Sequence, residues 1–451
     1  MTRISRLVLS FAVALASTTV QAQGTRATGA TAPRTTQGAA DTGTVAYDVD
    51  GIRVIHRRLG SGDIVVANLY MLGGARQITY ANAGIELLLL EASERGTRTY
   101  SRDRLRRNMA QLGTTITTSV GVDWSSIGLR ATKSTLDSTW RILTSRVVEP
   151  RLDSAEVELI RRQLVAGVGQ RDDVPDALVE FVADSFAFSG HPYGVSPTGT
   201  VSSLSAISLA DLRNYHASQV VKSRLLLVVV GDVPRGRVEQ LVRGSLGRLP
   251  AGSYRWTLPD TLPRTKASLL TINRPLPTNY ILGYYAGPRA DSPDYHALRI
   301  ACAILSGQLF HEIRSRQNLT YSVEAPFIER AVAAGGLYVT TVDPQRTLDL
   351  MRRELLDLQT GTVDPGSLER LILQFITQYF MDNESGAQQA DFLARAELYY
   401  GDFRRADTFV DDLRAITPED IRQAALRYMR DVRFVYIGDP QRAPRQAVER
   451  F

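Results

Sequence analysis

The chain has 451 residues, of which 44% are hydrophobic and 22% charged, with a formal charge of +6. That is enough to bury more than one core, so two domains are the default. Basic residues interleave with acidic ones, as in "RRQLVAGVGQRDD", which excludes a continuous stripe for nucleic acid and a polybasic membrane patch.

In chain order, Arg3 and Arg6 precede the apolar run "LVLSFAVALAS" and the small residues Val20 and Ala22. This is the pattern of a cleaved secretory signal peptide over residues 1–22, too short for a membrane anchor, and it predicts a periplasmic or secreted product of charge +4. No later stretch of the sequence is long and apolar enough to span a bilayer. Residues 23–44 are Gly, Thr and Ala with no large apolar side chain, and read as a flexible linker. Folding is expected from "VAYDVDGIRVIHRR", where two alternating runs flank Asp50 and Gly51 as in a hairpin. A strand in "DIVVANLYMLGG" follows, then a helix in "AGIELLLLEASERGT", a helix in "SRDRLRRNMAQLG" and a strand pair in "TTITTSVGVDWSSIGLRAT". Long helical patterns then run through "STLDSTWRILTSRVVE", "SAEVELIRRQLVAGVGQRDD" and "PDALVEFVADSFA".

The stretch Ala206–Asp232, "AISLADLRNYHASQVVKSRLLLVVVGD", matches Ala415–Asp439, "AITPEDIRQAALRYMRDVRFVYIGD". Ser208 with Asp211, and Thr417 with Asp420, form capping-box signatures before helices that lead into β-branched strands closed by Gly-Asp. A repeat spaced by 207 to 209 residues is far longer than a solenoid period and predicts two copies of one α+β domain. The expected boundaries are 45–250 and 267–442, with a Pro-containing linker over 251–266 and a tail over 443–451.

Common catalytic constellations are absent: there is no phosphate loop, no GxGxxG opening a helix, no GxSxG elbow and no CxxC. The single Cys302 excludes intrachain disulfides and, within "LRIACAIL", reads as a buried small hydrophobe. The five histidines, His56, His191, His216, His296 and His311, never fall within one helical turn of each other. "HEIRS" at His311 starts like a zinc motif, but Ser315 stands where the second histidine would be.

"GIELLLLEASERGT" at Gly84–Thr97 and "LFHEIRSRQNLTYSVEA" at Leu309–Ala325 together resemble two blocks of the pitrilysin/insulinase family of zinc metallopeptidases. The first is similar to its zinc helix, with Gly84, Ile85, Gly96 and Thr97 aligned. The resemblance places the two histidine ligands on Leu87 and Glu91 and the general-base glutamate on Leu90, so all three are lost. The chemistry needs neutral imidazoles one turn apart and a carboxylate to deprotonate the bound water, and leucine supplies neither. The third ligand, a downstream glutamate, has no counterpart between Leu164 and Gln170. Glu91 then reads as a solvated helix residue. "LFHEIRSRQNLTYSVEA" resembles the block in which an arginine and a tyrosine complete the family's active site, here Arg314 and Tyr321. Asn318 stands where the family usually has glycine, and asparagine tolerates the left-handed turn.

The resemblance, from about Val45 to Asp439, implies an α+β fold of two homologous domains, each a mostly antiparallel sheet backed by helices. In heterodimeric bacterial members and in mitochondrial processing peptidase, one chain carries the zinc helix and another lacks it, and this chain looks like the latter. The expectation is a non-zinc subunit of an exported heterodimer. It would hold no cofactor of its own and would lend Arg314 and Tyr321 to hydrolysis of a peptide or small protein at the zinc of an HxxEH-bearing partner. The alternative is an inactive homologue that binds peptides or scaffolds envelope proteins. Whether the chain counts as an enzyme is left open between these.

Overall fold

The computed structural model describes residues 43–263 and 265–451. The expected signal peptide and all but the last two positions of the expected linker lie outside these residues. Those two positions are not linker, because the first strand already begins at Gly43. Strand β1 (Gly43–Val49) turns into β2 (Ile52–Arg58) through Asp50 and Gly51, at φ 51° and 84°. Two left-handed residues in a two-residue loop match the twist of the flanking strands, and Val49 pairs with Ile52. With β3 (Ile64–Leu72), β4 (Thr115–Val120), β5 (Trp124–Thr132) and β6 (Leu225–Val230), they form a sheet in the order β1-β2-β6-β3-β5-β4.

The second sheet holds β7 (Ser268–Asn273), β8 (Asn279–Arg289), β9 (Val323–Glu324), β10 (Phe327–Ile328), β11 (Val332–Thr341) and β12 (Arg433–Gly438). Its order is β10-β11-β8-β12-β7, with β9 also paired to β11. The repeat is structural. Ser208 N–H donates to Asp211 at 2.9 Å and the Asp211 N–H returns to Ser208 Oγ at 3.1 Å; the same bonds join Thr417 and Asp420 at 2.9 and 3.2 Å. These boxes start the helices Leu209–Gln219 and Pro418–Tyr428. The helices lead into β6 and β12, each parallel to one neighbour (β2, β7) and antiparallel to the other (β3, β8). All other strand pairs are antiparallel.

β6 reads "LLLVVV" without alternation because both its faces are buried. One face packs on helices of its own half, including Ile85–Ser93 and Leu136–Val148. The other face, with Val228 and Val230 beside Val66 and Tyr70 of β3, is covered by the helix Gly386–Tyr400 from the second half, through Leu393 and Leu398. The exchange is reciprocal. The outer face of the second sheet, with Leu282, Tyr284, Val435 and Ile437, is covered by Leu178 and Val179 of the helix Pro175–Ala187 from the first half. Each such aliphatic side chain contributes about 1.5–3 kcal/mol when fully buried, so the seam is part of the core.

Polar bonds close the seam. The buried Asp123 carboxylate accepts from Tyr193 Oη at 2.5 Å, Tyr399 Oη at 2.9 Å and the Ala331 N–H at 2.9 Å. Arg330 donates to both oxygens of Asp184 at 3.0 Å. The stretch expected as a linker, 251–266, has no helix or strand among its described residues, yet it is a strap. Tyr254, Trp256 and Leu258 pack against the exchanged core, and Trp256 Nε1 donates to the Leu398 carbonyl at 2.7 Å. The expected tail, 443–451, also docks: it holds the helix Arg445–Val448, and the Phe451 ring lies 5.1 Å from that of Phe434.

Candidate functional site

In the first half, the helix Ile85–Ser93 starts from Gly84 at φ 88°. A Cβ there would lie 2.7 Å from Leu204, so both the conformation and the packing require glycine. Leu88, Leu89 and Leu90 are buried, and Leu87 is half-buried. The neighbouring Glu86 is also buried, held by Arg224 at 3.2 Å and Ser125 Oγ at 2.7 Å. Sequence reasoning missed this pair, because nothing local marks an acid on an apolar helix as the partner of an arginine 138 residues away. At the helix end the buried Arg146 donates to the Leu90 carbonyl at 3.3 Å and to Ser93 Oγ at 3.2 Å, placing a cation where the helix dipole is negative.

Glu91 departs from its expected role as a solvated residue. It is half-buried and accepts from Thr118 Oγ1 at 3.0 Å, across to the edge strand β4. The helix packs on Ser154–Asp173, where Val168 is buried and the passage 164–170 carries no acid. These residues do not fit zinc. Leu87 and Leu90 have no donor atoms, and Glu91 alone is far short of the three protein ligands of a catalytic site. Among the described residues no group of three or more His, Cys, Asp or Glu could hold a metal ion.

In the second half, the helix Asp294–Leu309 continues as a π-helical turn, Phe310–Arg316. Its wider winding shows in the bond from Gln317 N–H to the Glu312 carbonyl, five residues back, at 3.0 Å; beyond it the Leu319 N–H donates to the Ile313 carbonyl at 3.0 Å and closes the end of the turn. Asn318 closes the turn at φ 52°, the left-handed conformation expected of it. Ile313 is buried, whereas Arg314 is exposed, its guanidinium 5.0 Å from the centre of the half-exposed Phe310 ring. Tyr321 precedes β9 and is 88% exposed, which separates it from an ordinary half-buried strand tyrosine. Its backbone is fixed on both sides: Thr320 Oγ1 donates to the Ser322 carbonyl at 2.8 Å, and the Thr340 N–H donates to the same oxygen at 3.1 Å. Among the described residues neither the Arg314 nor the Tyr321 side chain makes a hydrogen bond or ion pair, to the other or to anything else. His311 of "HEIRS" is exposed, and Cys302 is buried with its thiol pushed up to about 12.

Residues 206–375 match the M16 peptidase inactive domain. A zinc protease of Mycobacterium leprae, itself uncharacterized, is 25% identical over 310 residues, covering 65% of this chain and 68% of that one. A protease from Helicobacter pylori superposes with a TM-score of 0.81 at 15% identity, covering 88% of this chain and 99% of the other. The M16 inactive domain from Pseudomonas fluorescens does so at 0.80 and 19% identity, covering 88% and 98%. This chain resembles the zinc-less pitrilysin-like M16 peptidases, in sequence over the matched inactive domain and in fold over most of its length. The two-sheet α+β architecture of these M16 structures is the one described above. The helix that resembles the zinc helix lies in the core, and the block that resembles the Arg/Tyr motif lies on the surface.

Proposed function

We propose that this M16 homologue is the non-zinc subunit of an exported heterodimeric peptidase. Arg314 and Tyr321 would serve a zinc site on an HxxEH-bearing partner, acting on a peptide or small protein. The observation that carries this reading is the exposure of both side chains with no hydrogen-bond or ion-pair partner among the described residues, on backbone held by the π turn and by Thr320. A planar guanidinium and a phenol are suited to donate to a substrate carbonyl and to the oxyanion that forms from it. The test is reconstitution with a co-purified HxxEH-bearing homologue from the cell envelope, followed by Arg314→Ala and Tyr321→Phe. Turnover should fall while assembly persists; unchanged turnover discards the role.

One observation favours a second reading, a peptide-binding or scaffold protein. β4 is an edge strand beside the leucine-filled helix, and an extended peptide can pair with such an edge without being cut. Peptide retained by the pure chain, with no cleavage even in the presence of the homologue, supports that reading over the first.

A further inference from the structure

The turn that presents Arg314 contains a carboxylate to which the proposed chemistry gives no task. Glu312 lies between Phe310 and Arg314 in sequence, with 7% of its side chain exposed. It gathers three side-chain donors from two elements. Arg316 Nη1 at 2.9 Å and Gln317 Nε2 at 3.0 Å come from its own turn and the residue after it, and Arg353 Nη2 at 2.9 Å comes from the helix Pro344–Thr360. Arg346 of that helix donates in turn to Gln317 Oε1 at 2.7 Å. These donors, the Gln317 hydrogen bond foremost, hold the Glu312 carboxyl below the usual range.

Gln317 is thus bound to Glu312 twice, through the backbone bond that defines the π turn and through the side chains. This matters because π winding is rare and is found mostly as single turns that something else stabilises. An extra residue in the turn changes the direction of every side chain that follows, so the same sequence wound as α-helix would point Arg314 elsewhere. Arg353 fixes the turn to a second helix, so its register cannot drift independently of the core.

We infer that Glu312 is the positioning residue for Arg314: it holds the π turn, and the π turn sets the direction of the guanidinium. This rests on the proposed service of Arg314 to a partner's site. Two measurements keep the two ideas apart. In the reconstituted complex, Glu312→Gln lowers kcat about tenfold with KM unchanged, and adds nothing further in an Arg314→Ala background. Additive losses would overturn the inference, since a residue acting through Arg314 has no effect once Arg314 is gone. If Arg314→Ala itself leaves turnover unchanged, the parent reading fails, and the chain alone decides the inference. Hydrogen exchange at the amides of Gln317 and Leu319 should then quicken about tenfold in Glu312→Gln while Leu282 in β8 keeps its rate; equal exchange in variant and parent refutes it. Arg353→Ala, which removes only the tether to the second helix, gives a smaller change of the same kind and serves if Glu312→Gln does not fold.

Discussion

The helix Ile85–Ser93 and the turn Phe310–Arg316 are the two segments that resemble the family's catalytic parts, and they have gone in opposite directions. The first has turned inward: its leucines join a core, Glu86 is locked to Arg224, and Arg146 caps its end. The second keeps an apolar underside at Ile313 and an outward face of Phe310 and Arg314, with Tyr321 exposed beyond the turn. A segment that loses its chemistry can be absorbed by packing. One that keeps exposed donors on an unusual winding has not been absorbed in that way, and the proposed function gives that difference a reason.

Four experiments press on this contrast. The largest effect is expected in the second segment: Arg314→Ala or Tyr321→Phe should cost roughly 10²–10³-fold in turnover by the reconstituted complex, the usual effect of removing an oxyanion donor. Neither should shift the melting temperature of the chain. In the first segment the ranking reverses. Glu86→Ala leaves the Arg224 charge buried without its carboxylate and should cost about 3–5 kcal/mol in denaturant unfolding. Glu91→Ala breaks one half-buried hydrogen bond and should cost about 1 kcal/mol. Equal costs would mean that Glu86 is not the anchor of the helix.

Acid provides a milder perturbation that reaches both halves. Burial depresses the pKa of His191 and His216 in the first half, and lowers His296 in the second to about 4. The folded chain therefore refuses protons that the unfolded chain accepts. Stability should be unaffected by these groups above pH 6.5 and should fall as pH drops from there toward 4. His296→Phe should flatten that slope in thermal melts recorded across this range. An unchanged slope would remove His296 from the account.

The smallest effect concerns zinc. Restoring Leu87→His, Leu90→Glu and Glu91→His together should leave metal content well below one ion per chain, because the passage 164–170 supplies no third ligand. Stoichiometric zinc in the purified variant would show that the first segment is less committed to packing than its burial indicates.

Much of this was legible in the sequence, and the particular residues explain what was not. The Asp-Gly turn, the two capping boxes and the 207 to 209 residue repeat are local signals with a local physical cause, and they appear where expected. The left-handed Asn318 belongs with them. The Glu86–Arg224 pair, the Asp123 cluster and the Glu312–Arg353 tether join residues 138, 276 and 41 positions apart, and no pattern along the chain announces such partners. The π turn left no sign in the sequence, since a single wide turn leaves hydrophobic periodicity almost unchanged. Glu312 stood inside the block that carried the resemblance, but only the structure shows what its carboxylate holds.

The exchange of covering helices at the seam has a consequence for how the chain comes to be folded. Strand β6 ends at Val230, and the helix that shields its outer face does not begin until Gly386. A growing or threading chain must therefore wait for more than one hundred and fifty residues with a two-sided hydrophobic sheet half clothed. Contacts of such long sequence separation form slowly, and an uncovered apolar face meanwhile invites self-association. Either half made alone would keep that face for life, so separately expressed halves should aggregate on their own and become soluble only when they meet.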